Sequence, residues 1–465
     1  KIPNLFRRFF AEGAFNQAFI PIYSDYVKAN QERDANEFVN SLAGVLINFL
    51  FIFTIIALIF APVFIFIFAP GFYIDPTKQD ISVKVLRIMF PYLALISLVA
   101  FAGGIQNTHN KFSIPAFTPV IFNLCLIIAA ILIAPKYEMP IFVLAWGVLL
   151  AGFLQLLLQI FPLLQINKLP LPKLDFKAPG LKKFYNLILP AIFAGGIIQI
   201  NLLVDTIFAS LLKTGSPTWL YVSDRLIQFP MGIFAIAIGT VILPMLSQYN
   251  SIQDKDKFKE TISKGQRFVL FIGIPSLIGL FICSEDLIST IFYRGAFTSI
   301  DVINSSYSLM AFSIGLPFFM IMKVLTPAFF ARKDTKTPMF VALISLILNA
   351  FLNYYLAFVL DYGHIGIAIG SSLAAIISVL ILEIILYKQG FIKIQNFFNR
   401  FNMMVCVSSL FLIFFLIFYT SQIDFIELTQ AQRVLYLFIE VTISVVLYFS
   451  ISRLIFKKPL RSLLN

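Results

Sequence analysis

Ile20-Pro21-Ile22-Tyr23-Ser24-Asp25-Tyr26 and Leu243-Pro244-Met245-Leu246-Ser247-Gln248-Tyr249 are two forms of one phrase, and their prolines lie 223 residues apart. Asn110-Lys111-Phe112-Ser113-Ile114-Pro115 is echoed in turn by Lys333-Asp334-Thr335-Lys336-Thr337-Pro338, and Pro115 to Pro338 is again a step of 223. Gly71-Phe72 and Gly295-Ala296-Phe297 echo each other at nearly the same spacing, a slip that a loop can absorb. One such match carries little weight. Two identical steps over this distance describe a chain made of two similar halves.

The residues around these phrases fix the solvent. Of the 465 residues, 59% are hydrophobic and only 12% are charged; a soluble domain carries about twice that charge. Apolar runs of about twenty residues, the length that crosses a bilayer core, recur from end to end. Thirteen segments are expected, at about 1–27, 38–68, 81–106, 115–134, 140–164, 181–212, 218–249, 262–292, 300–331, 336–358, 364–387, 400–420 and 430–456. Pro62, Pro91, Pro190, Pro230, Pro275 and Pro317 fall within them. Membrane helices tolerate such breaks because neighbouring groups re-satisfy the freed carbonyls. The fold class is therefore an all-α polytopic membrane protein. The sequence begins at Lys1 with no initiator Met and no signal sequence, and its first apolar stretch is already under way at Ile2, so a further piece of about one and a half helices is expected before Lys1.

The net charge of +12 follows membrane topology rather than nucleic-acid binding. Twenty-three Lys and Arg fall in one alternate set of connectors and the tail, including Lys28, Lys111, Lys168, Lys255, Arg332, Lys388 and Lys457, and seven fall in the other. That asymmetry makes the first set, and with it the C-terminus, cytoplasmic. Cys125, Cys283 and Cys406 are solitary, with no CxxC or His/Cys cluster, and read as inert buried thiols.

Matched segments stand six spans apart. An even count makes the halves parallel, related by a pseudo-two-fold along the membrane normal, with a substrate site expected between the two lobes. The domains are then an N-terminal lobe over 1–164, a C-terminal lobe over 181–387, a two-helix extension over 400–456 and a basic tail over 457–465.

An ionisable residue within a span needs a cavity, a partner or a function. Arg7 and Arg8, followed by Glu12, are the leading candidates; neighbours on a helix lie about 100° apart, so one at least points into the bundle. The bland alternatives are snorkelling and an Arg8–Glu12 pair. Asp224-Arg225 opens the repeat partner of that segment, with Gln228 a turn further on. Guanidinium groups suit phosphate because their planar fork binds it bidentately and stays charged; the alternative here is an Asp224–Arg225 pair at the outer interface. Asp205, Asn349, Asn353 and Ser371 could hold Na⁺ or exchange a proton, or simply pack helices together. Lys323, Glu383 and Glu440 read as structural or headgroup contacts, Arg87 as interfacial, and His109 and His364 as bland loop residues. Gly366 and Gly370 form a GxxxG packing face. There is no Walker loop, no GxGxxG and no nucleophile triad, so neither catalysis nor ATP-powered transport is indicated.

Taken in order, these motifs look like a known set. Ile2-Pro3-Asn4-Leu5-Phe6-Arg7-Arg8-Phe9-Phe10-Ala11-Glu12-Gly13-Ala14-Phe15, Asn110 to Phe117, Ser223-Asp224-Arg225-Leu226 and Lys323-Val324-Leu325-Thr326-Pro327 resemble the MurJ (MviN) lipid II flippases. That family lies within the multidrug/oligosaccharidyl-lipid/polysaccharide exporter superfamily. The resemblance covers essentially the whole chain. It implies fourteen helices, as two six-helix lobes plus a two-helix extension, with the first helix lying before Lys1. It also implies a central cationic cavity with Arg7, Arg8, Asp224 and Arg225 at important positions, and a Na⁺ site like that of some members at Asp205, Asn349, Asn353 and Ser371. Gln228 departs from the acidic residue the family often has there.

The function implied is translocation of lipid II, an undecaprenyl-pyrophosphate-linked peptidoglycan precursor, across a bacterial inner membrane by alternating access. Cavity arginines would replace the hydration of the pyrophosphate while the tail stays in lipid, with Na⁺, H⁺ or the membrane potential as coupling. The expected partners are lipid II and membrane lipids, with the chain a monomer working beside cell-wall synthesis proteins and no nucleic acid. The rivals are an exporter of other lipid-linked sugars or drugs, a membrane-embedded polyprenyl-phosphate enzyme, and a non-transporting scaffold.

Overall fold

The computed structural model describes residues 14–392 and 399–455, and every element among them is helical. In hydrocarbon a spanning segment must satisfy its own backbone groups, and a helix does so within one stretch of chain. Among the described residues, eleven helices are long and apolar enough to cross a bilayer. The remaining two of the thirteen expected segments are α1 (Ala14–Lys28) and α9 (Leu181–Leu211).

By internal contacts the chain forms two compact units, Lys1–Leu203 and Val204–Asn465, with the division inside α9. In the first unit, α1 is followed by α2 (Glu32–Ile59), α3 (Ala61–Phe68), α4 (Pro70–Ile74), α5 (Pro76–Met89), α6 (Tyr92–Thr108), α7 (Ser113–Ile128) and α8 (Pro140–Gln165). In the second, the end of α9 is followed by α10 (Ser216–Pro230), α11 (Ile236–Ser251), α12 (Lys255–Ile282), α13 (Ser284–Phe292), α14 (Ser299–Phe330), α15 (Lys336–Tyr354) and α16 (Gly363–Lys388). The extension, α17 (Arg400–Thr420) and α18 (Gln430–Ile455), belongs to this second unit.

The 223-residue step of the sequence reappears in the helix boundaries. Helix α2 runs 32–59 and α12 runs 255–282; α8 runs 140–165 and α16 runs 363–388. The helix ends repeat as well. Asn30 and Gln253, Asn110 and Lys333, and Asn167 and Gly390 all have φ between 52° and 73°. Each sits in a Schellman cap, in which the next N–H reaches back to the carbonyl five residues before it: Gln31 to Tyr26, Asp254 to Tyr249, Lys111 to Gln106, Asp334 to Phe329, Lys168 to Leu163 and Phe391 to Leu386, at 2.8–3.0 Å. All six caps lie beside the Lys- and Arg-rich connectors.

Some expected segments are divided into two helices. The run expected over 38–68 is interrupted at Phe60, and that over 262–292 at Cys283, again one step of 223 apart. A third break separates α5 from α6 at Phe90–Pro91. Apolar residues continue across all three, so hydropathy alone cannot mark them.

Each unit has its own core. Phe15, Phe19, Phe38 and Phe101 stack in the first, while α14 runs through the middle of the second with Leu309, Leu316, Met320, Val324 and Ala328 buried. Helices α17 and α18 dock on α12 through Phe401, Met404, Leu412, Leu416 and Tyr448, whose hydroxyl donates to the Phe271 carbonyl at 3.0 Å. The segment after α8 is strapped to α2. Asn40 accepts from the Leu171 N–H, its carbonyl accepts from the Lys173 N–H, and a Cβ on Gly44 would strike the Lys173 carbonyl.

Candidate functional site

Arg7, Arg8 and Glu12 lie outside the described residues. The candidates on α10 are described. Trp219, Val222, Ser223 and Ile227 are buried, and the Ser223 hydroxyl lies 2.8 Å from the Trp219 carbonyl and 2.7 Å from the Ser305 carbonyl of α14. With that face committed to packing, helical spacing turns Tyr221, Asp224, Arg225 and Gln228 to the other side. There the Arg225 guanidinium lies 4.8 Å over the Tyr221 ring. Gln228 bridges its two neighbours, donating to Asp224 at 2.5 Å and accepting from Arg225 at 3.4 Å. An amide can do both at once; a carboxylate at 228 could not donate to Asp224. Arg225 and Gln228 are exposed and Asp224 half-buried. The face thus presents a permanently charged fork whose orientation is set by an aromatic ring and an amide.

The four residues of the second candidate set come together. Asn353 donates to Asp205 at 2.6 Å and to the Asn349 side-chain oxygen at 3.1 Å, and Asn349 donates to Ser371 at 3.1 Å. Asn349 and Asn353 are fully buried, and the Asn353 side-chain oxygen has no hydrogen-bond partner. Their approach depends on the GxxxG face. A Cβ on Gly366 would strike the backbone of Leu356 and Ala357, and one on Gly370 would strike the Asn353 oxygen. The carboxylate of Asp205 and the amide oxygen of Asn349 meet at the Asn353 amide, with the Ser371 hydroxyl one hydrogen bond further on, and a hard monovalent cation takes oxygens of these kinds.

Several sequence expectations are corrected. Glu440 takes the structural branch of its reading, fully buried beside Cys283 and Asp286. Cys406 is exposed rather than buried, and Cys283 faces carboxylates rather than a purely apolar wall. His364 is within α16, not a loop, and lies 2.7 Å from the Ser308 hydroxyl. Glu383 does act structurally, accepting from Gln266 at 2.8 Å.

One feature of the first unit was missed. Gln106 donates to Gln159 at 2.5 Å, Gln159 to the Thr118 hydroxyl at 2.7 Å, and Gln155 to the Thr118 carbonyl at 3.0 Å. They lie beside a cavity of about 250 Å³ lined also by Tyr92, Asn107 and Asn123. The visible signal was Gln155 and Gln159, one helical turn apart within an otherwise apolar run.

The model of the family described as Lipid II flippase MurJ matches residues 1–445. The chain belongs to this family. A probable lipid II flippase MurJ of Vibrio cholerae is 40% identical over 400 residues, which are 84% of this chain and 75% of the relative. The lipid II flippase MurJ of Burkholderia cenocepacia is 35% identical over 395 residues, 84% of this chain and 76% of its own. Among solved structures, an inward closed conformation of lipid II flippase MurJ superposes with a TM-score of 0.81 at 28% identity, over 99% of this chain and 91% of that one. An inward-facing MATE-family multidrug transporter of the MOP superfamily shares the fold, with a TM-score of 0.68 at 11% identity over 83% of this chain and 89% of its own. Membership in the MurJ family settles the architecture as that of a multi-pass transporter and sets aside the enzyme and scaffold alternatives.

Proposed function

We propose that this protein translocates lipid II across the bacterial inner membrane by alternating access. Family membership over residues 1–445 carries the reading. The chemistry of α10 supports it: a pyrophosphate is anionic, and the bilayer core rejects it unless fixed donors replace its water. Arg225 offers a bidentate fork, aligned by Tyr221 and Gln228. Arg7 and Arg8 are proposed to add charge to the same task. A drug exporter for cations is disfavoured by guanidinium groups at these positions.

The proposed orientation puts the basic connectors and the C-terminus in the cytoplasm. The inside-negative potential would then draw an unloaded cationic site inward, at about 2.3 kcal/mol per charge per 100 mV. Na⁺ is the proposed coupling ion at Asp205, Asn349, Asn353 and Ser371. A Na⁺-dependent rise in Tm that K⁺ does not reproduce, and that Asp205→Asn removes, is the expected result; equal response to both ions would dismiss it.

The decisive experiment for the substrate site is complementation in a bacterium depleted of its own flippase. Arg225→Ala should fail while inserting normally, Arg225→Lys should rescue in part, and lipid II should accumulate on the cytoplasmic side. Full rescue by Arg225→Ala would remove Arg225 from the site.

A further inference from the structure

The second unit holds a group of side chains that transport of a lipid-linked anion does not use. Cys283 sits at the break between α12 and α13, Asp286 in the first turn of α13, and Glu440 in the middle of α18. All three are buried, Glu440 completely. One ligand atom from each, the thiol sulfur and a carboxylate oxygen from both acids, lies within 4.8 Å of the others, and no other such trio occurs among the described residues.

Among the described residues no N–H or O–H donor reaches either oxygen of Glu440 or Asp286 Oδ2 and neither acid forms an ion pair; the hydrogen-bonding group beside Glu440 is the Cys283 thiol. The nearby buried cation is committed elsewhere: Arg433 donates to the carbonyls of Phe425, Ile426 and Tyr293 at 2.7–3.3 Å. Burying two carboxylates against each other with nothing positive between them is costly.

The internal repeat adds an independent observation. One step of 223 earlier, the residues at the positions of Cys283-Ser284-Glu285-Asp286 are Phe60-Ala61-Pro62-Val63. The same helix break is thus built without any such ligand in the first half. The polar residues occur only where α18 supplies Glu440.

We propose that Cys283, Asp286 and Glu440 form a transition-metal site of the zinc class that fastens the two-helix extension to α13. The donor set selects the ion. A thiolate with two carboxylates suits Zn²⁺, whereas Mg²⁺ and Ca²⁺ take oxygen ligands. Tetrahedral Zn²⁺ with bonds of about 2.0–2.3 Å holds its donors roughly 3.3–3.7 Å apart, so from separations within 4.8 Å binding draws no pair together by more than about 1.5 Å. Two exposed acids, Glu285 and Asp424, act electrostatically on Asp286 and mark the approach for a cation. The metal carries two positive charges into a place that otherwise holds up to three negative ones. The fastening is additional to hydrogen bonds already there, Gln430 to the Thr290 carbonyl at 2.8 Å and Arg433 to the Tyr293 carbonyl.

The test uses the full chain purified in detergent, stripped with chelator and dialysed against Zn²⁺ or Co²⁺. The expected result is one metal per chain, a thiolate-to-cobalt charge-transfer band, and a Tm that rises on adding Zn²⁺. Glu440→Gln and Cys283→Ser should each weaken binding by at least about tenfold, and Cys283→Ser should abolish the charge-transfer band. Cys406→Ser, away from the site, should change none of these. Three outcomes overturn the proposal: no bound metal in the parent chain, metal content in both ligand variants equal to that of the parent, or a thiolate band that survives Cys283→Ser. A Glu440→Gln chain that is more stable than the parent in Zn²⁺ would instead identify a carboxyl pair sharing a proton, which also overturns it.

Discussion

His109 caps α6 and meets the Tyr23 hydroxyl of α1 at 2.9 Å. Burial lowers its pKa from the ordinary 6.5, as does the nearby Lys168, while Glu32 pulls the other way. The folded chain therefore prefers the neutral ring. That preference contributes stability above about pH 6.5 and is lost as pH falls from there through the lower folded value. His109→Gln should keep a side-chain hydrogen bond to Tyr23 and flatten this part of the profile, measured as Tm between pH 5 and 7.5. An unchanged slope would mean that other groups set it. His109 was legible in the sequence only as a bland residue, because its partner is 86 positions away. Gln228 is a second case. Read from sequence it is a substitution for an acid; seen beside Asp224 and Arg225 it is the amide that holds both.

At the scale of elements, the meeting of α15 and α16 shows how packing and chemistry depend on the same atoms. Gly366 and Gly370 let α16 approach closely enough for Asn353 to sit under Gly370. Gly370→Ala forces that amide aside, at a cost of about 1–3 kcal/mol, and should remove the Na⁺-dependent part of the Tm along with it. Gly279→Ala is the control, since its Cβ meets nothing within 4 Å. An alanine at 370 that keeps the Na⁺ response would separate the polar cluster from ion binding. Eleven of the thirteen expected spans were readable from hydropathy among the described residues, because length and apolarity are all a bilayer demands. The breaks at Phe60, Phe90 and Cys283 were not, since apolar residues run through them. The Cys283, Asp286 and Glu440 cluster was equally hidden, because Glu440 lies more than 150 residues beyond the other two in sequence.

For the molecule as a whole, the two copies of the repeat have kept their backbone more faithfully than their residues. At the three paired caps Asn30 has become Gln253, Asn110 has become Lys333, and Asn167 has become Gly390, with φ positive in every case. The left-handed turn was inherited while the side chain that suits it was free to drift. Gln and Lys have no local hydrogen bond to offset that conformation, whereas Asn tolerates it better and Gly adopts it freely. Gln253→Gly and Lys333→Gly should each recover about 1 kcal/mol. The gain should be visible as a higher Tm in detergent with complementation unchanged; no gain from either would show that the loops had already relaxed. The first copy predicts the opposite preference, with Asn30→Lys and Asn110→Lys losing stability. An ancient duplication thus left behind a practical guide, since at each paired turn one half of the chain shows which residue would make the other half sturdier to purify.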